Sequence, residues 1–391
     1  MLELDESRLK VVAVTTWGTA CGIATYSEEL YGALDGAGVA PMILAPQEGG
    51  SCLSRRSTLP VEAGWTRGSD GIGHAILTHA KRYGARVLHV QHEFGLFLNN
   101  EAFYELLKQA RMEKLATVVT LHTVHPYGDL WSGVLHNLRK LVDCIVVHTV
   151  QGFAVLHAVP GNNRVELIPH GSPYPQPAGS RNRGLERFHV PQRLRGHDVC
   201  WCLVFGFQGV GKNLICTLRA YTELRARGGG RNLGMIFCGQ PDEYFSHLGG
   251  VPRLIGQTGF GATILERREF VPPADLPDLF ALADFGILNT TGNHISASGQ
   301  VHRYAAHGVP LAVADRPIYA DAIRAGAVPF QLHVEPRHEE PTVSLVNAMS
   351  AFASSSKLRE TVGASMEQLA KETAWSKVRE TYVKLYRELV T

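Results

Sequence analysis

Short apolar runs rich in β-branched residues alternate with helical patterns along most of the 391-residue chain. The first run, at residues 9–15, reads LKVVAVT, and comparable runs follow at 41–44, 86–90 and 116–121. Each run fits a strand that a parallel sheet buries on both faces, and the segments between them have the apolar spacing of helices. Strands and helices that alternate in this way predict parallel sheets with helices on both faces.

The alternation breaks between residues 172 and 196 and then resumes. Pro173, Pro175 and Pro177 come first and an arginine-rich segment follows, a composition typical of a linker or an exposed loop. The length of the chain suits two domains that each bury a core. We therefore predict an α/β fold with two Rossmann-like, doubly wound parallel-sheet domains: residues 1–178, a linker at 179–196, and residues 197–375.

The composition excludes several classes of protein. The chain has a formal charge of +2 at pH 7, 45% hydrophobic residues and 19% charged residues, a balance typical of globular proteins without a nucleic-acid partner. The seven cysteines lack zinc or disulfide spacing, and no histidine pair has a metal-binding pattern. No leader pattern and no apolar run of ~20 residues occur. We expect a cytoplasmic protein with reduced thiols, no metal and no transmembrane segment.

Residues 284–315 contain the most informative loop. A buried strand at 285–288 is expected to lead into a polar loop of small residues, before a helix that opens near Ser298. The amides of Ser298, Gly299 and Gln300 would then be unpaired first-turn donors, at the strand edge where open α/β folds bind ligands. A simple cap built from small residues explains the loop equally well.

Two other strand-to-helix loops have features of phosphate-binding loops. Residues 16–23 contain two glycines but no G-x-G-x-x-G pattern, so a tight turn is an equal explanation. Residues 206–213 read GFQGVGKN, and Lys212 at the start of a helix would neutralise a diphosphate. The same residues match G-x-x-x-x-G-K of a P-loop. Asn213 replaces the Ser or Thr that should hold magnesium, which makes a P-loop the weaker alternative.

Three histidines directly follow predicted strands: His92, His122 and His170. Because the carboxyl ends of parallel strands meet at one edge of a sheet, we expect their side chains to converge there. A single histidine in such a position is usually a hydrogen-bonded structural residue. Three at one edge favour a polar binding site.

The ordered set of motifs resembles the retaining glycosyltransferases of the GT-B fold, family 4-like (glycosyl transferases group 1). Each motif alone is weak, but together they cover nearly the whole chain in the expected order. The matching segments are T-x-W-x-x-x-C-G-I-A-T-Y-S at 15–27, HVQHEFGLF at 89–97, TLHTV at 120–124, IPHG at 168–171, FGFxxxxK at 205–212, FVPPADLPDLFALADF at 270–285 and SGQVHRYAAHGVPLAVAD at 298–315.

The resemblance implies a fold and an activity (EC 2.4 class). The two domains would face each other across a cleft, and the last helix, at 376–391, would cross back to the first domain. A sugar would move with retention from a UDP-, GDP- or dTDP-sugar to a hydroxylated acceptor, either a small molecule or a glycan. No cofactor and no metal would be needed, because Lys212 and helix dipoles would stabilise the departing diphosphate. A homodimer is compatible with this interpretation.

The resemblance also implies roles for individual residues. His122 would contact the donor sugar near the reacting carbon, and Lys212 would bind the diphosphate; these are the two catalytic candidates. The expected donor-binding residues are Gly22, Gly206, Lys212, Val271, Leu276, His294, Ser298, Gly299, Gln300 and Arg303. The expected acceptor-binding residues are Trp17, Ile23, His92, Glu93, Tyr127, Asp129 and His170.

Two positions depart from the family pattern. Phe207 stands where the family often has an arginine, and Ile295 and Arg303 stand where many members carry two glutamates. Arg303 is a candidate to replace the missing cation, and His294 to replace the missing sugar contact. Two alternatives stay open: a related coupling enzyme with a non-sugar donor, and a catalytically silent partner or sensor protein. The presence of His122 and Lys212 argues against a silent protein.

Overall fold

The computed structural model divides the chain into two compact units. The first comprises Met1–Gly171, His294–Gly299 and Thr373–Thr391, and the second comprises Ser172–Asn293 and Gln300–Glu372. The assignment of His294–Gly299 to the first unit was not predicted. The structure describes residues 8–47, 58–97, 100–125, 129–196, 199–228, 232–241, 255–256, 258–333 and 340–391, with the backbone alone at 129–131 and 210.

The first unit is built on a parallel sheet of seven described strands. In spatial order the strands run β3-β2-β1-β4-β5-β7-β8, so the order reverses between β1 and β4. β6 instead forms a short antiparallel pair with β13 (Ile295–Ser296), in which Ile295 lies opposite Val124. The strands are β1 (Leu9–Val14), β2 (Val39–Pro46), β3 (Val61–Trp65), β4 (Val87–His92), β5 (Ala116–Leu121), β6 (Thr123–Val124), β7 (Cys144–Val147) and β8 (Arg164–Leu167).

Helices cover both faces of this sheet, which explains the continuous apolar runs. In β1, Val11 and Ala13 belong to one core while Val12 and Val14 belong to the other, and all four are fully buried. A strand buried on both faces needs apolar residues at every position. The helices of the first unit are α1 (Gly22–Leu34), α2 (Ile72–Tyr83), α3 (Asn100–Met112), α4 (Asp129–Leu141), α5 (Val150–Ala158) and α13 (Trp375–Val390).

The C-terminal helix α13 packs in the first unit, as predicted. Tyr382 on α13 and Tyr26 on α1 are fully buried or nearly so, and their hydroxyls lie 2.9 Å apart. Trp375, the first residue of α13, contacts the backbone at Gly171 so closely that a Cβ there would lie 2.2 Å from the indole ring. This close approach requires glycine at position 171.

The second unit has a parallel sheet of six described strands around a single core. The spatial order is β11-β10-β9-β12-β14-β15, so the order reverses between β9 and β12. The strands are β9 (Cys200–Phe205), β10 (Leu233–Cys238), β11 (Ile264–Arg267), β12 (Phe285–Leu288), β14 (Leu311–Ala314) and β15 (Val328–Phe330).

Seven described α-helices complete the second unit's architecture. No helix in the described ranges has both the length and the apolar composition that a bilayer crossing requires. The helices are α6 (Arg181–Arg187), α7 (Leu214–Ala226), α8 (Leu276–Leu282), α9 (Gly299–Ala306, whose first residue belongs to the first unit), α10 (Ala320–Arg324), α11 (Val343–Ser354) and α12 (Ser356–Glu372).

The segment 179–196 was predicted to be a linker, but it is an ordered part of the second unit. It contains α6, and Leu185 and Phe188 enter the core of that unit. Arg183 makes two hydrogen bonds of 3.0 and 2.9 Å to the buried carboxylate of Asp278 on α8. Arg183 also keeps the pKa of Asp278 below its usual value. Arg183 thus pairs with an acidic residue of a neighbouring helix, while its own side chain stays largely exposed.

Candidate functional site

Tyr26 is the centre of a ring cluster at the carboxyl edge of the first sheet. Its ring centroid lies 4.8 Å from that of His122, 5.1 Å from His148, 5.0 Å from His170 and 5.2 Å from Trp375. His122 directly follows β5, His148 directly follows β7, and His170 comes shortly after β8. Because these strands are parallel neighbours, their ends bring the three rings to one edge of the sheet. The predicted convergence of His122 and His170 is therefore present.

Hydrogen bonds connect His122 to a buried polar network. Nε2 of His122 lies 2.9 Å from Oε1 of Gln91, and the Gln91 amide nitrogen donates to the Tyr31 hydroxyl at 2.8 Å. Next in the network is His89, whose Nδ1 lies 2.6 Å from the Tyr386 hydroxyl on α13. Gln91 and His89 are fully buried. The network holds the His122 ring through β4 and the C-terminal helix.

Three histidines of this region, His89, His122 and His148, are held in their neutral form. Burial lowers the pKa of His89 to about 3 and that of His148 to about 4, since removal from water disfavours the charged ring. The pKa of His122 is also well below its usual value. Burial is the largest cause, and the neighbouring histidines lower the pKa further. His148 donates from Nδ1 to the Ile168 carbonyl at 2.8 Å, which fixes its tautomer. Neutral rings of this kind offer lone pairs rather than positive charge.

His92 does not join the cluster around Tyr26. Its ring is fully buried, stacks on Phe97 at 5.4 Å and packs against Phe94 and Phe103. No described residue hydrogen-bonds either of its ring nitrogens, and burial lowers its pKa to about 3. The backbone carbonyl of His92 accepts from the amide of His122 at 3.2 Å. The convergence predicted for three histidines therefore holds for two of them, joined by His148.

The remaining candidates for the acceptor lie in several environments. Trp17 is buried in the core beneath α1, and the half-buried Ile23 lies in the first turn of that helix. The half-buried carboxylate of Glu93 accepts from the Thr123 hydroxyl at 2.7 Å. Tyr127 lies outside the described residues, and Asp129 is described only by its backbone at the start of α4.

In the second unit, Lys212 and Gln300 form the centre of the candidate site. The Lys212 amine donates to the Gln300 side-chain oxygen at 3.1 Å, and the Gln300 nitrogen donates to the carbonyl of Phe205, the last residue of β9, at 2.7 Å. Burial lowers the pKa of Lys212. Among the described residues, no carboxylate lies within 4.0 Å of its amine.

Gly206 makes room for this arrangement. Its φ of +115° is in a region that favours glycine, and a Cβ there would lie 1.5 Å from the Gln300 amide nitrogen. The neighbouring Phe207, in the position of the family's arginine, is 38% exposed. The glycine therefore leaves room for the Gln300 amide to reach the carbonyl at the end of β9.

Backbone hydrogen bonds join the loops that follow β9 and β12. The carbonyl of Gly211 accepts from the amide of Thr291 at 3.0 Å and from the hydroxyl of Thr290 at 2.9 Å. Asn213, with a left-handed φ of +48°, donates from its side chain to Asn289 at 3.3 Å. The strand order of the second sheet reverses between β9 and β12, and these loops follow those two strands. Open α/β sheets bind ligands at such a position.

The other donor candidates have the following positions. α9 begins at Gly299 directly after the buried Ser298, so the amides of Gly299 and Gln300 belong to its first turn and have no acceptor within the helix. Val271 and Leu276 are buried in the core of the second unit. Gly22 is exposed at the first residue of α1, in the first unit.

Arg303, His294 and Ile295 occupy the positions that depart from the family. Arg303 is half-buried and lies close enough to His307 to lower its pKa, although burial is the larger cause of that shift. The ring of His294 lies 6.3 Å from that of His125. Ile295 is buried in the apolar core of the first unit, opposite Val124. Its side chain therefore serves packing rather than polar recognition.

Sequence reasoning missed three side chains that organise these regions: Tyr26, Gln91 and His148. His148 directly follows β7, so the rule that selected the other histidines would have found it. Gln91 lies within the HVQHEFGLF segment, but its contact with His122 depends on the pairing of β4 with β5. Among the described residues, no three His, Cys, Asp or Glu side chains are grouped in a way that could hold a metal ion.

No protein-family model and no curated protein sequence matches the chain. Solved structures match it over nearly its full length. Sucrose-phosphate synthase from Thermosynechococcus elongatus has 13% sequence identity and a TM-score of 0.73, with 98% of this chain and 99% of that chain covered. A glycosyltransferase from Rickettsia africae has 14% identity and a TM-score of 0.74, with the same coverage. HepE from Anabaena, solved with UDP and glucose, has 11% identity, a TM-score of 0.72, and 97% and 100% coverage. The predicted GT-B fold is confirmed.

Proposed function

We propose that the protein is a retaining glycosyltransferase that moves a sugar from a nucleoside diphosphate sugar to a hydroxylated acceptor. The observation that carries the proposal is the half-buried Lys212, whose pKa is lowered by burial. Its hydrogen-bond partner is a neutral amide, and no described carboxylate balances its charge. An anionic ligand would supply the missing counter-charge, and a diphosphate has the charge and the oxygen acceptors that such an amine binds.

The position of Lys212 supports this choice of ligand. The lysine follows β9, beside the point where the strand order of the second sheet reverses. Backbone amides in the first turn of α9 would add donors for phosphate oxygens, and their dipoles favour negative charge. As the sugar leaves, charge develops on the diphosphate, and Lys212 would stabilise that charge without a metal. We assign the donor role to residues 197–375 on this basis.

We assign the acceptor role to residues 1–178 together with the last helix, at 376–391. His122 would contact the donor sugar as a neutral ring, since burial and the neighbouring histidines lower its pKa. The buried Ile295 provides no polar group at a position where many relatives have a glutamate. This loss favours a small hydroxylated acceptor and a donor sugar that makes fewer polar contacts. A cytoplasmic location suits nucleotide-sugar donors.

UDP-sugars are the first donors to test, because the structurally similar HepE was solved with UDP-glucose. A thermal-shift panel of UDP, GDP, ADP, dTDP and their common sugars would identify the base. A ligand present at a hundredfold excess over its Kd stabilises a folded protein by about 2.7 kcal/mol. The donor selected is then incubated with hydroxylated acceptors, and NMR of the product gives the anomeric configuration.

The proposal predicts stabilisation by one diphosphate and a product with the donor's configuration. Binding without transfer to any acceptor would support a silent sensor instead. A product with inverted configuration would contradict the retaining mechanism. If none of the nucleotides stabilised the protein, the whole assignment would be contradicted.

A further inference from the structure

We propose that Gln91 is a positioning residue that holds His122 as the Nε2–H tautomer, so that Nδ1 faces the substrate as a hydrogen-bond acceptor. The inference deepens the proposed function and rests on it for the identity of the substrate. Gln91 lies on β4 and His122 directly after β5, and these strands pair in register, with His92 opposite Leu121. The 2.9 Å contact between the two side chains is thus set by the sheet itself.

The orientation of the Gln91 amide decides the tautomer. Its nitrogen lies 2.8 Å from the Tyr31 hydroxyl and 3.2 Å from Nε2 of His89, so two acceptors are available for its two hydrogens. In the opposite orientation, the amide hydrogens would face His122 alone and one of them would lack an acceptor. Buried N–H groups are rarely left unpaired. The amide oxygen therefore faces His122, and an oxygen of this kind requires a hydrogen on Nε2.

The surrounding network fixes Gln91 in that orientation. His89 is fully buried, with Nδ1 within 3.0 Å of the Tyr31 hydroxyl and 2.6 Å of the Tyr386 hydroxyl. Its Nε2 lies 2.8 Å from the Thr120 hydroxyl, so each nitrogen of the neutral ring has a partner. With the hydrogen of His89 on Nδ1, its Nε2 and the Tyr31 hydroxyl both accept from the Gln91 nitrogen. The Gln91 oxygen then accepts from Nε2 of His122.

The consequence for His122 concerns its second ring nitrogen. No described residue hydrogen-bonds Nδ1, and Nε2 is occupied by Gln91. In a neutral ring with a hydrogen on Nε2, Nδ1 carries a lone pair. Such a nitrogen accepts a hydrogen bond from a hydroxyl group but donates none. His122 would therefore select a sugar hydroxyl at its contact point, and Gln91 would keep the ring orientation constant during transfer.

The tautomer can be measured without any substrate. In protein labelled with ¹⁵N-histidine, two-bond ¹H–¹⁵N correlation spectra distinguish the two neutral forms, and the signals of His122 are identified by their loss in His122→Ala. We expect the Nε2–H pattern in the wild type. Gln91→Leu, which removes the acceptor at similar size, should give a mixture of tautomers, while Gln91→Glu, which keeps an oxygen, should retain the hydrogen on Nε2. An Nδ1–H pattern in the wild type would overturn the proposal.

Kinetics with the identified donor provide the second test. Gln91→Leu should lower kcat by roughly 10- to 100-fold through misplacement of the ring, with a smaller change in KM. Thr117→Val is the matched control, since Thr117 lies at the opposite end of β5 and its hydroxyl donates to Asp143 at 2.9 Å. The control should keep both the tautomer and kcat. Unchanged kcat in folded Gln91→Leu would overturn the positioning role. If the wild type transfers no sugar, the proposed function fails, while the NMR spectra still decide the tautomer.

Discussion

The two sheet edges of this protein use different kinds of chemistry. At the edge of the first sheet, histidine and tyrosine side chains form a buried network around Tyr26 and Gln91. Burial lowers the pKa of His89 and His148 in this network, so both rings are neutral. At the edge of the second sheet, the half-buried amine of Lys212 donates to the Gln300 amide, which lies against Gly206. The first region orients neutral groups by dense packing, whereas the second keeps a charge without a described carboxylate partner.

This difference indicates which region determines stability and which determines ligand binding. Burying a neutral, hydrogen-bonded ring costs little, so the first region adds to the folded state as long as its rings stay neutral. Burying an amine without a counter-ion weakens the free protein and favours a bound anion. A change of pH and single substitutions separate the two effects.

Acidification should destabilise the first unit strongly. His89 and His92 have folded-state pKa values of about 3 and His148 of about 4, below the value of 6.5 for an unfolded chain. The unfolded state therefore binds more protons, and stability that is complete above pH 6.5 is lost as the pH falls. Each histidine should remove about 2 kcal/mol between pH 7 and pH 5, about 6 kcal/mol together. Urea denaturation at each pH measures the loss.

His92→Phe sharpens the same prediction, because it replaces a buried ring without described hydrogen-bond partners by an apolar ring. The variant should lose about 2 kcal/mol less than the wild type over that pH range. Phe103→Leu is the control: it disturbs the same packing and should lower stability equally at both pH values. A pH dependence identical to the wild type in His92→Phe would refute the assignment.

Gly206→Ala should disturb the second region. The new Cβ would lie 1.5 Å from the Gln300 amide nitrogen, and the φ of +115° is strained for alanine. We expect a loss of about 1–3 kcal/mol in the free energy of unfolding. Gly211→Ala lies in the same loop, where a Cβ would meet no atom within 4 Å, and it should change stability by less than about 0.5 kcal/mol. Equal effects of the two variants would show that Gly206 has no special role.

Gln300→Ala tests whether the amide positions the lysine. Removing the 3.1 Å contact should leave the Lys212 amine less well placed and weaken UDP binding by about 10-fold, equivalent to about 1.4 kcal/mol. Calorimetric titration measures the change. Thermal unfolding of the free variant serves as the control for folding, and a folded variant with wild-type affinity would count against the positioning role.

Tyr382→Phe should have the smallest effect. It removes the 2.9 Å hydrogen bond to Tyr26 and should cost about 1 kcal/mol. Tyr319→Phe in the second unit is the matched control, because the buried Tyr319 hydroxyl has no hydrogen-bond partner among the described residues. The control should keep or increase stability. A larger loss from Tyr319→Phe than from Tyr382→Phe would contradict the interpretation of the network.

Local patterns were enough to predict the two sheets, because strands buried on both faces are apolar at every position, as in β1. The same patterns were not enough for residues 179–196. The arginines of this segment and the prolines that precede it are typical of a linker. In the structure, Leu185 and Phe188 enter the core and Arg183 binds Asp278 on α8. The burial of His92 beside Phe97 likewise depends on α3, which no strand-end rule describes.

The contact between Lys212 and Gln300 shows the same limit within the candidate site. The sequence identified both residues, the lysine by its loop and the glutamine by its backbone amide. The Gln300 side chain bonds both to Lys212 and to the end of β9. Both bonds depend on the close approach of the Gln300 amide to Gly206. Sequence spacing places residues on an edge of a sheet, but the packing of that edge determines which side chains meet.

Calorimetric titration of UDP into the wild type and into Lys212→Ala tests directly whether Lys212 binds a nucleoside diphosphate. We predict that the wild type binds UDP, or one of GDP, ADP and dTDP in its place. Lys212→Ala should weaken this binding by roughly 100-fold through loss of a charge-assisted hydrogen bond. Lys357→Ala, at an exposed lysine on α12, should bind as the wild type does. Binding of equal strength in Lys212→Ala, or no binding of any of these nucleotides by the wild type, would contradict the account.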